Sequence, residues 1–462
     1  MNSSTLKGFV GPAGSGKTHH LVKEAERVTK SLKWEPYQAL LGLTFMHGAR
    51  RRLYSRFSDL RKVGIPVQCS TIDSFCLDVV RRFRVYLGYD KPVEIDTEIK
   101  DCDYAECLTW TWVISLDKMR SEMIRILENK AVRKSIAASY PIMVIDEFQD
   151  CDGFLLEIIK SLSEMSHLIL AADPFQRLEI EKDTCDGTIC DAVEWLKKAG
   201  HIEPLDGCER TKEKQLLNTA EALRTGVLKP NCVTLMKCDA PGIASFWISK
   251  AIGAWGWGKY SNTVIITPVK ESKSKFVSNV LKSLRNELGK AEKFGPYPFS
   301  WEQTEDDQLE NVCELLPNAN KIHDLICKEE LQGFQFSEDR TVAEVCKAGY
   351  KVAKLRGLDG LSKSELMDIA RKKIHSKMAY CSGNRRNRIV LTVHGAKNQE
   401  FDYVFILWPL ALKKDQLHQR KLLYNGVTRA SKNAMILVEN NKKADLSAGV
   451  LPLIKKSDWL TS

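Results

Sequence analysis

The stretch GFVGPAGSGKTHHLV, residues 8–22, constrains the fold more than any other part of this 462-residue chain. Two apolar residues, Phe9 and Val10, precede a glycine-rich run that ends in Lys17 and Thr18, and a helical pattern follows. The spacing fits G-x-x-x-x-G-K-[ST], in which backbone N–H groups cradle phosphate, the lysine reaches the β- and γ-phosphates and the hydroxyl binds magnesium. It predicts a strand, a phosphate-binding turn and a helix.

Apolar runs alternate with helical patterns in both halves of the chain, which predicts an α/β fold with parallel sheets. The strands predicted in the first half are Phe9–Val10, Leu41–Phe45, Val67–Ser70, Ile142–Ile145 and Leu168–Ala171. Those predicted in the second half are Thr263–Pro268, Arg388–Val393, Tyr403–Pro409 and Ala434–Glu439. Polar residues follow the first-half strands at their carboxyl ends, where ligands bind in open α/β sheets.

Composition restricts the possible classes of protein. The 69 Lys and Arg against 59 Asp and Glu leave a net charge of +10, a basic excess that permits a polyanionic partner without requiring one. The 14 cysteines show no zinc-ligand spacing, so we expect reduced thiols in a cytoplasmic protein. No apolar run approaches the roughly 20 residues that span a bilayer, so no membrane partner is expected.

A second stretch, PIMVIDEFQDCD, supplies the acidic half of a nucleotide site. Four apolar residues bring Asp146 and Glu147 to the end of a strand. Asp146 is then suited to hold Mg²⁺ together with Thr18, and Glu147 to activate an attacking water.

With this stretch, the sequence resembles the superfamily 1 helicases of the UvrD, Rep and PcrA type, whose second motif reads D-E-x-Q-D. The family's other motifs follow in the family's order: LTFMHGAR (43–50), STIDSFC (70–76), LAADPFQ (170–176), LDGCERT (205–211), LTVHGAKNQEFDYV (391–404) and LLYNGVTRA (422–430). The resemblance covers nearly the whole chain and implies two RecA-like motor domains with short, mainly helical insertions.

The resemblance also implies domain boundaries. The first motor domain comprises residues 1–90 and 135–235, with a small helical insertion at 91–134. The second comprises residues 236–285 and 387–462, with a mainly helical insertion at 286–386.

The resemblance assigns ATP and Mg²⁺ as cofactors. The residues implied in catalysis are Lys17, Asp146, Glu147, Gln176, Arg210 and Arg429. The residues implied in nucleotide binding are Gly11, Pro12, Ala13, Gly14, Ser15, Gly16, Lys17, Thr18, His19 and Glu400. Gln176 corresponds to the sensor of the γ-phosphate. Both arginines are expected to act from the partner side of the ATP cleft, Arg429 from the second motor domain. A guanidinium there stabilises charge on the transferring phosphoryl group.

The implied partner is single-stranded DNA or tailed duplex DNA, with movement from 3′ to 5′. The residues expected to contact it are Thr44, Phe45, Ser70, Thr71, Ser74, Thr392 and His394. Hydroxyl and imidazole groups position phosphates without reading sequence, and Phe45 is suited to stack on a base. For each of these residues, strand packing or helix capping is an equally good interpretation.

The sequence departs from the family in ways that leave alternatives open. Glu179 stands where the family has an aromatic residue that stacks on DNA, and no glutamine precedes Gly11 to read adenine. We therefore expect ATP hydrolysis stimulated by single-stranded DNA but weak unwinding by the protein alone. The main alternative is a nucleotide- and DNA-sensing regulatory subunit that activates a partner nuclease, as in compact UvrD-like proteins of phage-defence systems. A viral RNA helicase is a weaker alternative.

Overall fold

The computed structural model describes residues 5–45, 47–96, 99, 101–108, 111–151, 153–178, 192–227, 229–257, 262–289, 292–302, 305–316, 325–381, 388–397, 399–410, 416–440 and 459–460. The chain divides into two compact units. Unit 1 comprises Met1–Asp239, Val393–Glu400 and Ile406–Ser462, and unit 2 comprises Ala240–Thr392 and Phe401–Phe405. Within the described residues, every helix is too short or too polar to cross a membrane.

The strands are β1 Leu6–Val10, β2 Leu40–Thr44, β3 Val67–Thr71, β4 Val93–Asp96, β5 Ala105–Cys107, β6 Trp112–Ser115, β7 Ile142–Ile145, β8 His167–Ala172, β9 His201–Pro204, β10 Thr234–Cys238, β11 Thr263–Thr267, β12 Ser300–Trp301, β13 Leu325–Cys327, β14 Gly360–Ser362, β15 Ile389–Thr392, β16 Phe401–Trp408, β17 Ala430–Glu439 and β18 Trp459–Leu460.

The helices are α1 Lys17–Ser31, α2 His47–Arg56, α3 Ser58–Lys62, α4 Ile72–Arg82, α5 Arg84–Leu87, α6 Leu116–Glu128, α7 Lys130–Ser139, α8 Gly153–Ser163, α9 Ala192–Ala199, α10 Lys214–Thr225, α11 Pro241–Gly253, α12 Lys275–Ser283, α13 Glu305–Leu315, α14 Lys328–Gly333, α15 Arg340–Arg356, α16 Lys363–Cys381 and α17 Gln416–Val427.

Unit 1 contains a parallel sheet of six strands in the order β3-β2-β7-β8-β1-β9. All five strands predicted in the first half of the chain lie in it, so the predicted α/β fold with a parallel sheet is confirmed. The carboxyl ends of these strands meet at one edge. That edge carries the phosphate loop after β1 and the acidic pair after β7.

Both faces of this sheet are covered, because alternate side chains of each strand enter different cores. In β7, Ile142 and Val144 pack with α1 residues such as Leu21, whereas Met143 and Ile145 pack into the core on the other face. All four β7 side chains are therefore fully buried. A strand buried on both faces reads as a continuous apolar run, which is why the sequence predicted β7 well.

Residues 91–134 differ from the prediction of a helical insertion. They contain α6 and part of α7 but also β4, β5 and β6, in which β6 pairs in parallel with β4 and antiparallel with β5. In β4 the buried Val93 alternates with the exposed Glu94, and β-branched residues of this kind favour strands. The strands are too short for this pattern to stand out against their polar surroundings.

Three remaining groups of strands complete the two units. Within unit 1, β10 pairs in parallel with β17 and β18. Within unit 2, β15 pairs in parallel with β11 and β12, while β13 and β14 form an antiparallel pair beside α13–α16. The four strands predicted in the second half correspond to β11, β15, β16 and β17. Strand β16 begins in unit 2 and ends in unit 1.

The two units divide the chain differently from the predicted domains, because residues 393–400 and 406–462 group with residues 1–239, whereas residues 240–285 and 401–405 lie in unit 2. Among the described residues of the range 286–386, most lie in helices, of which α15 and α16 are the longest. The division into two motor domains with insertions stays a prediction.

Candidate functional site

The phosphate loop joins β1 to α1 and requires glycine at two positions. Gly14 and Gly16 have φ angles of 81° and 79°, a left-handed conformation that favours glycine. A Cβ atom on Gly14 would also clash with Cys208 Sγ. The loop is fixed from outside, since the Glu209 N–H donates to Gly14 O at 2.6 Å and the Leu205 N–H to Val10 O at 2.8 Å.

Lys17, Thr18 and Asp146 meet beside this loop, and Glu147 directly follows Asp146. Lys17 Nζ donates to Gly11 O at 3.0 Å and Pro12 O at 2.8 Å, so its amine lies over the loop. Thr18 Oγ1 donates to Asp146 Oδ2 at 2.9 Å, although 128 residues separate them in sequence. Glu147 follows Asp146 in a left-handed conformation with φ of 62°, which is unusual for a residue other than glycine.

Burial shapes the charge of this acidic pair. Burial raises the pKa of Asp146 to about 6 and the neighbouring charge of Glu147 adds to the rise, while the Thr18 hydrogen bond and the Lys17 charge oppose it. A carboxylate in this state is stabilised by a cation, and adjacent carboxylate and hydroxyl oxygens are the ligands that Mg²⁺ prefers. Thr18 and Asp146 therefore fit a magnesium ion.

Gln149 connects Glu147 to the loop after β8. Its Nε2 donates to Glu147 Oε2 at 2.5 Å, and its Oε1 accepts from the Asp173 N–H at 2.9 Å. Gln149 is 1% exposed, so both bonds are shielded from water. Gln149 thereby fixes the position of the Glu147 carboxylate. The sequence did not predict this role, although Gln149 belongs to the D-E-x-Q-D motif.

Gln176 and Asp173 lie in the turn that follows β8. Asp173 is fully buried, with its Oδ2 4.0 Å from Lys17 Nζ and its Oδ1 accepting from the Phe175 N–H at 3.1 Å. Burial raises the pKa of Asp173, against the Lys17 and Arg224 charges. Gln176 is 5% exposed, and its backbone O accepts from Asn425 Nδ2 at 3.3 Å.

The two predicted arginines lie together near the acidic pair. Arg210 donates to Thr428 O at 2.6 Å and pairs with Glu400 Oε1 at 2.8 Å. Arg429 is 3% exposed, and its Nε donates to Asn425 O at 3.1 Å. Burial and the Arg210 charge lower the pKa of Arg429 to about 10, while the carboxylates of Glu147 and Glu400 oppose this shift. Arg429 therefore keeps its charge at neutral pH.

Three further residues were not predicted as site residues. Lys397 Nζ pairs with both oxygens of Asp150 at 3.1 and 3.0 Å. Tyr424 OH joins Ala13 of the phosphate loop to Asp173. Arg52 lies on α2, and the charges of Glu400, Asp146 and Glu147 act on its guanidinium. Lys397 and Tyr424 lie within the sequence segments that resemble helicase motifs, and this position is the sequence feature that could have identified them as site residues.

Two predicted nucleotide ligands are exposed, Glu400 beside Arg210 and His19 on α1. His19 contacts the ring of His20 edge-on, with 6.0 Å between ring centroids. The assignment of His19 to the nucleotide stays a prediction.

The residues predicted to contact DNA fall into two groups. Thr44 pairs with Thr71, and Leu43 with Ser70, at the carboxyl ends of β2 and β3. Thr71 caps α4, since its Oγ1 accepts from the Ser74 N–H at 3.1 Å and donates to Ser74 Oγ at 2.6 Å. Burial of Thr44, Ser70 and Thr71, each less than 9% exposed, favours packing and capping for these three.

The other predicted contacts are more accessible. Phe45 and Ser74 are half-buried in unit 1, and Phe45 packs against the sheet core. Thr392 ends β15 in unit 2, whereas His394 belongs to unit 1, and both are half-buried. Glu179, Asn398 and most of GNRRNR (383–388) lie outside the described residues.

Comparison with protein families finds two matches. The family described as "UvrD/REP helicase N-terminal domain" matches residues 9–114 and 100–178, and "UvrD-like helicase C-terminal domain" matches residues 389–437. The first match includes Lys17, Asp146 and Gln176, and the second ends after Arg429. The matched segments thus contain most of the residues in the candidate site.

Curated relatives match over a shorter stretch. Subunits of an "ATP-dependent helicase/nuclease" from Lactobacillus gasseri and Lactobacillus johnsonii are each 39% identical over 104 residues. The alignment covers 19% of this chain and 8% of each relative.

Among solved structures, arterivirus nonstructural protein 10 (helicase) aligns with a TM-score of 0.31 and 11% identity over 95% of this chain and 60% of that one. The same protein in complex with DNA aligns with a TM-score of 0.34 and 10% identity, over 95% and 61% of the two chains.

Proposed function

Because this chain belongs to the UvrD-like superfamily 1 helicases, we propose that it is an ATP-driven motor on single-stranded DNA. It hydrolyses ATP and couples hydrolysis to movement, from 3′ to 5′. The observation that carries the proposal is the assembly within unit 1 of a phosphate loop, an acidic pair and two arginines.

Each side chain has a separate role in this proposal. Lys17 and the loop N–H groups bind the phosphates, and Thr18 with Asp146 holds Mg²⁺, which neutralises phosphate charge when bound. Glu147, held by Gln149, accepts a proton from the attacking water. Arg429 and Arg210 stabilise negative charge that develops on the γ-phosphoryl oxygens.

Lys17 needs new partners when phosphate binds. Its amine now donates to loop carbonyls at 2.8 and 3.0 Å, and phosphate oxygens are stronger, charged acceptors. Asp173 Oδ2, 4.0 Å from Lys17 Nζ, attracts the amine to its place over the loop. Nucleotide binding therefore exchanges neutral carbonyl acceptors of Lys17 for negatively charged phosphate oxygens.

Lys17→Ala is expected to weaken nucleotide binding roughly 10- to 100-fold, the value of one or two hydrogen bonds to a charged group. Fluorescent ATP-analogue titration measures this change. Lys23→Ala, on the exposed face of the same helix, is the matched control and should bind as the wild type does. Equal affinity of Lys17→Ala and the wild type would show that the loop does not bind phosphate through Lys17.

The proposed DNA track begins at the carboxyl ends of β2 and β3. Ser74 and Phe45 are accessible there, and the basic α2 beside them carries Arg50, Arg51 and Arg52. Positive charge beside hydroxyl and aromatic groups suits contact with a single strand without sequence preference. His394, which also belongs to unit 1, would continue the track, and DNA contact by Thr392 stays a separate prediction.

The alternative function, a regulatory subunit for a partner nuclease, differs from a motor in its expected rate of ATP hydrolysis. A protein that senses nucleotide and DNA for a partner nuclease needs the same phosphate loop but little turnover. The word "nuclease" in the name of the Lactobacillus relatives is its support, and the alignment covers only 8% of those proteins. Weak unwinding by the isolated chain is compatible with either function.

An ATPase assay separates the two functions. The rate is measured alone and with single-stranded DNA, blunt duplex DNA or single-stranded RNA, and Lys17→Ala reports any contaminating activity. We expect single-stranded DNA to raise kcat several-fold above the other conditions. Tight nucleotide binding with no stimulated turnover would favour the regulatory function, and stimulation by RNA alone would favour an RNA substrate.

A further inference from the structure

Tyr424 connects the phosphate loop with the helix that precedes Arg429. Its side chain lies on α17 and is 1% exposed. The hydroxyl accepts from the Ala13 N–H at 2.8 Å and donates to Asp173 Oδ2 at 3.0 Å. One buried hydroxyl therefore uses its donor and one acceptor site on two parts of the candidate site.

The backbone carbonyls of Tyr424 and Asn425 accept hydrogen bonds from Thr428 and Arg429. Tyr424 O accepts from Thr428 Oγ1 at 2.8 Å and from the Thr428 N–H at 3.0 Å. Asn425 O accepts from Arg429 Nε at 3.1 Å. A shift of Tyr424 would therefore move Arg429 through hydrogen bonds that span only one turn of chain.

We propose that Tyr424 is a positioning residue whose hydroxyl fixes Arg429 relative to the phosphate loop. This inference rests on the proposed function, because it takes Arg429 as a group that acts during hydrolysis. The hydroxyl carries the role, since it is the atom that bonds to both the loop N–H and the Asp173 carboxylate. A misplacement of about 1 Å in a catalytic group can lower a rate by up to about 100-fold.

The Tyr424 hydroxyl keeps its proton and so can donate to Asp173. Burial and the Asp173 charge raise the pKa of Tyr424, so the phenol stays protonated over the working range of the protein. The ring has a separate contact, edge-on to Phe175 with 5.0 Å between ring centroids. Tyr424→Phe keeps that contact and removes only the hydroxyl.

Tyr424→Phe is expected to lower kcat about 10- to 100-fold while the affinity for ATP changes less than about threefold. A purely structural tyrosine would instead lower thermal stability and affect binding and rate together. Single-turnover hydrolysis with protein in excess over labelled ATP gives the rate, and equilibrium titration gives the affinity.

A double-mutant cycle tests whether Tyr424 acts through Arg429. In the Arg429→Ala background, Tyr424→Phe should change the rate less than about threefold, because residues that act as a unit are not additive. Tyr89→Phe is the matched control: its hydroxyl donates to the buried Glu122 at 3.1 Å, and its ring contacts Trp112 edge-on at 5.2 Å. It should keep the wild-type rate.

Hydrogen exchange of the loop amides tests the anchor without hydrolysis. We expect residues 11–18 to exchange faster in Tyr424→Phe than in the wild type or Tyr89→Phe, because the Ala13 N–H loses its acceptor. Unchanged exchange, a wild-type kcat, or full additivity with Arg429→Ala would each overturn the inference. If the wild type itself hydrolyses no ATP, the proposed function fails, and the exchange result alone decides whether Tyr424 anchors the loop.

Discussion

Arg429→Ala is expected to lower the rate of ATP hydrolysis by about 10³- to 10⁵-fold, the range for a guanidinium that stabilises a phosphoryl-transfer transition state. Nucleotide affinity should fall much less, because the interaction forms fully only in the transition state. Arg429 is buried and remains charged with a pKa of about 10. Its guanidinium interacts electrostatically with the Glu147 carboxylate. It is thus held close to the group that would activate water.

Steady-state and single-turnover hydrolysis measure this effect, with thermal unfolding as a check on folding. Arg429→Lys keeps the positive charge but removes the planar guanidinium. It should recover only a small part of the rate, because lysine cannot reproduce the guanidinium geometry. Arg133→Ala, which removes a half-buried arginine paired with Glu164 at 3.0 Å in the same unit, should leave the rate unchanged. A folded Arg429→Ala protein that keeps more than a tenth of the wild-type rate would contradict the assignment.

Glu147→Gln is expected to lower kcat by about 10²- to 10⁴-fold, the contribution typical of a general base. The amide keeps the size of the side chain, and its oxygen can still accept from Gln149 Nε2. Asp146 and Thr18 are unchanged, so binding of ATP and Mg²⁺ should stay within about threefold of the wild type. Loss of rate without loss of binding is the signature of this role.

Glu157→Gln provides the matched control for that substitution. Glu157 lies on α8 of the same unit and pairs with Lys160 at 2.6 Å on the surface. It should hydrolyse ATP at the wild-type rate. If Glu147→Gln did so as well, another group would have to activate the water.

The sequence predicted those features of the fold that depend on local pattern. Strand β7 is a continuous apolar run because both of its faces are buried, and Gly14 and Gly16 mark a loop that needs left-handed backbone. Strand β9 was missed, because His201–Pro204 has no fully buried residue and so no apolar run. Strands β4–β6 were missed because they are too short for an apolar pattern to stand out.

The candidate site was predictable in composition but not in its connections. Motif spacing identified Lys17 and Asp146, yet the bond from Tyr424 to Ala13 joins residues 411 positions apart. No local pattern reports a contact at that separation. Thr71 shows the opposite case, since a hydroxyl suited to phosphate is occupied in capping α4. Residue type indicates what a side chain can do, whereas packing determines which option it uses.

Displacement of streptavidin from single-stranded DNA is the most direct test of the proposed motor activity, because it reports movement and not hydrolysis alone. Oligonucleotides carry biotin at either end, and Glu147→Gln serves as the control that binds ATP without turnover. A motor that moves from 3′ to 5′ should give ATP-dependent displacement from the 5′ end, little from the 3′ end and none with Glu147→Gln. Rapid ATP hydrolysis stimulated by the same DNA, with no displacement from either end, would contradict a motor.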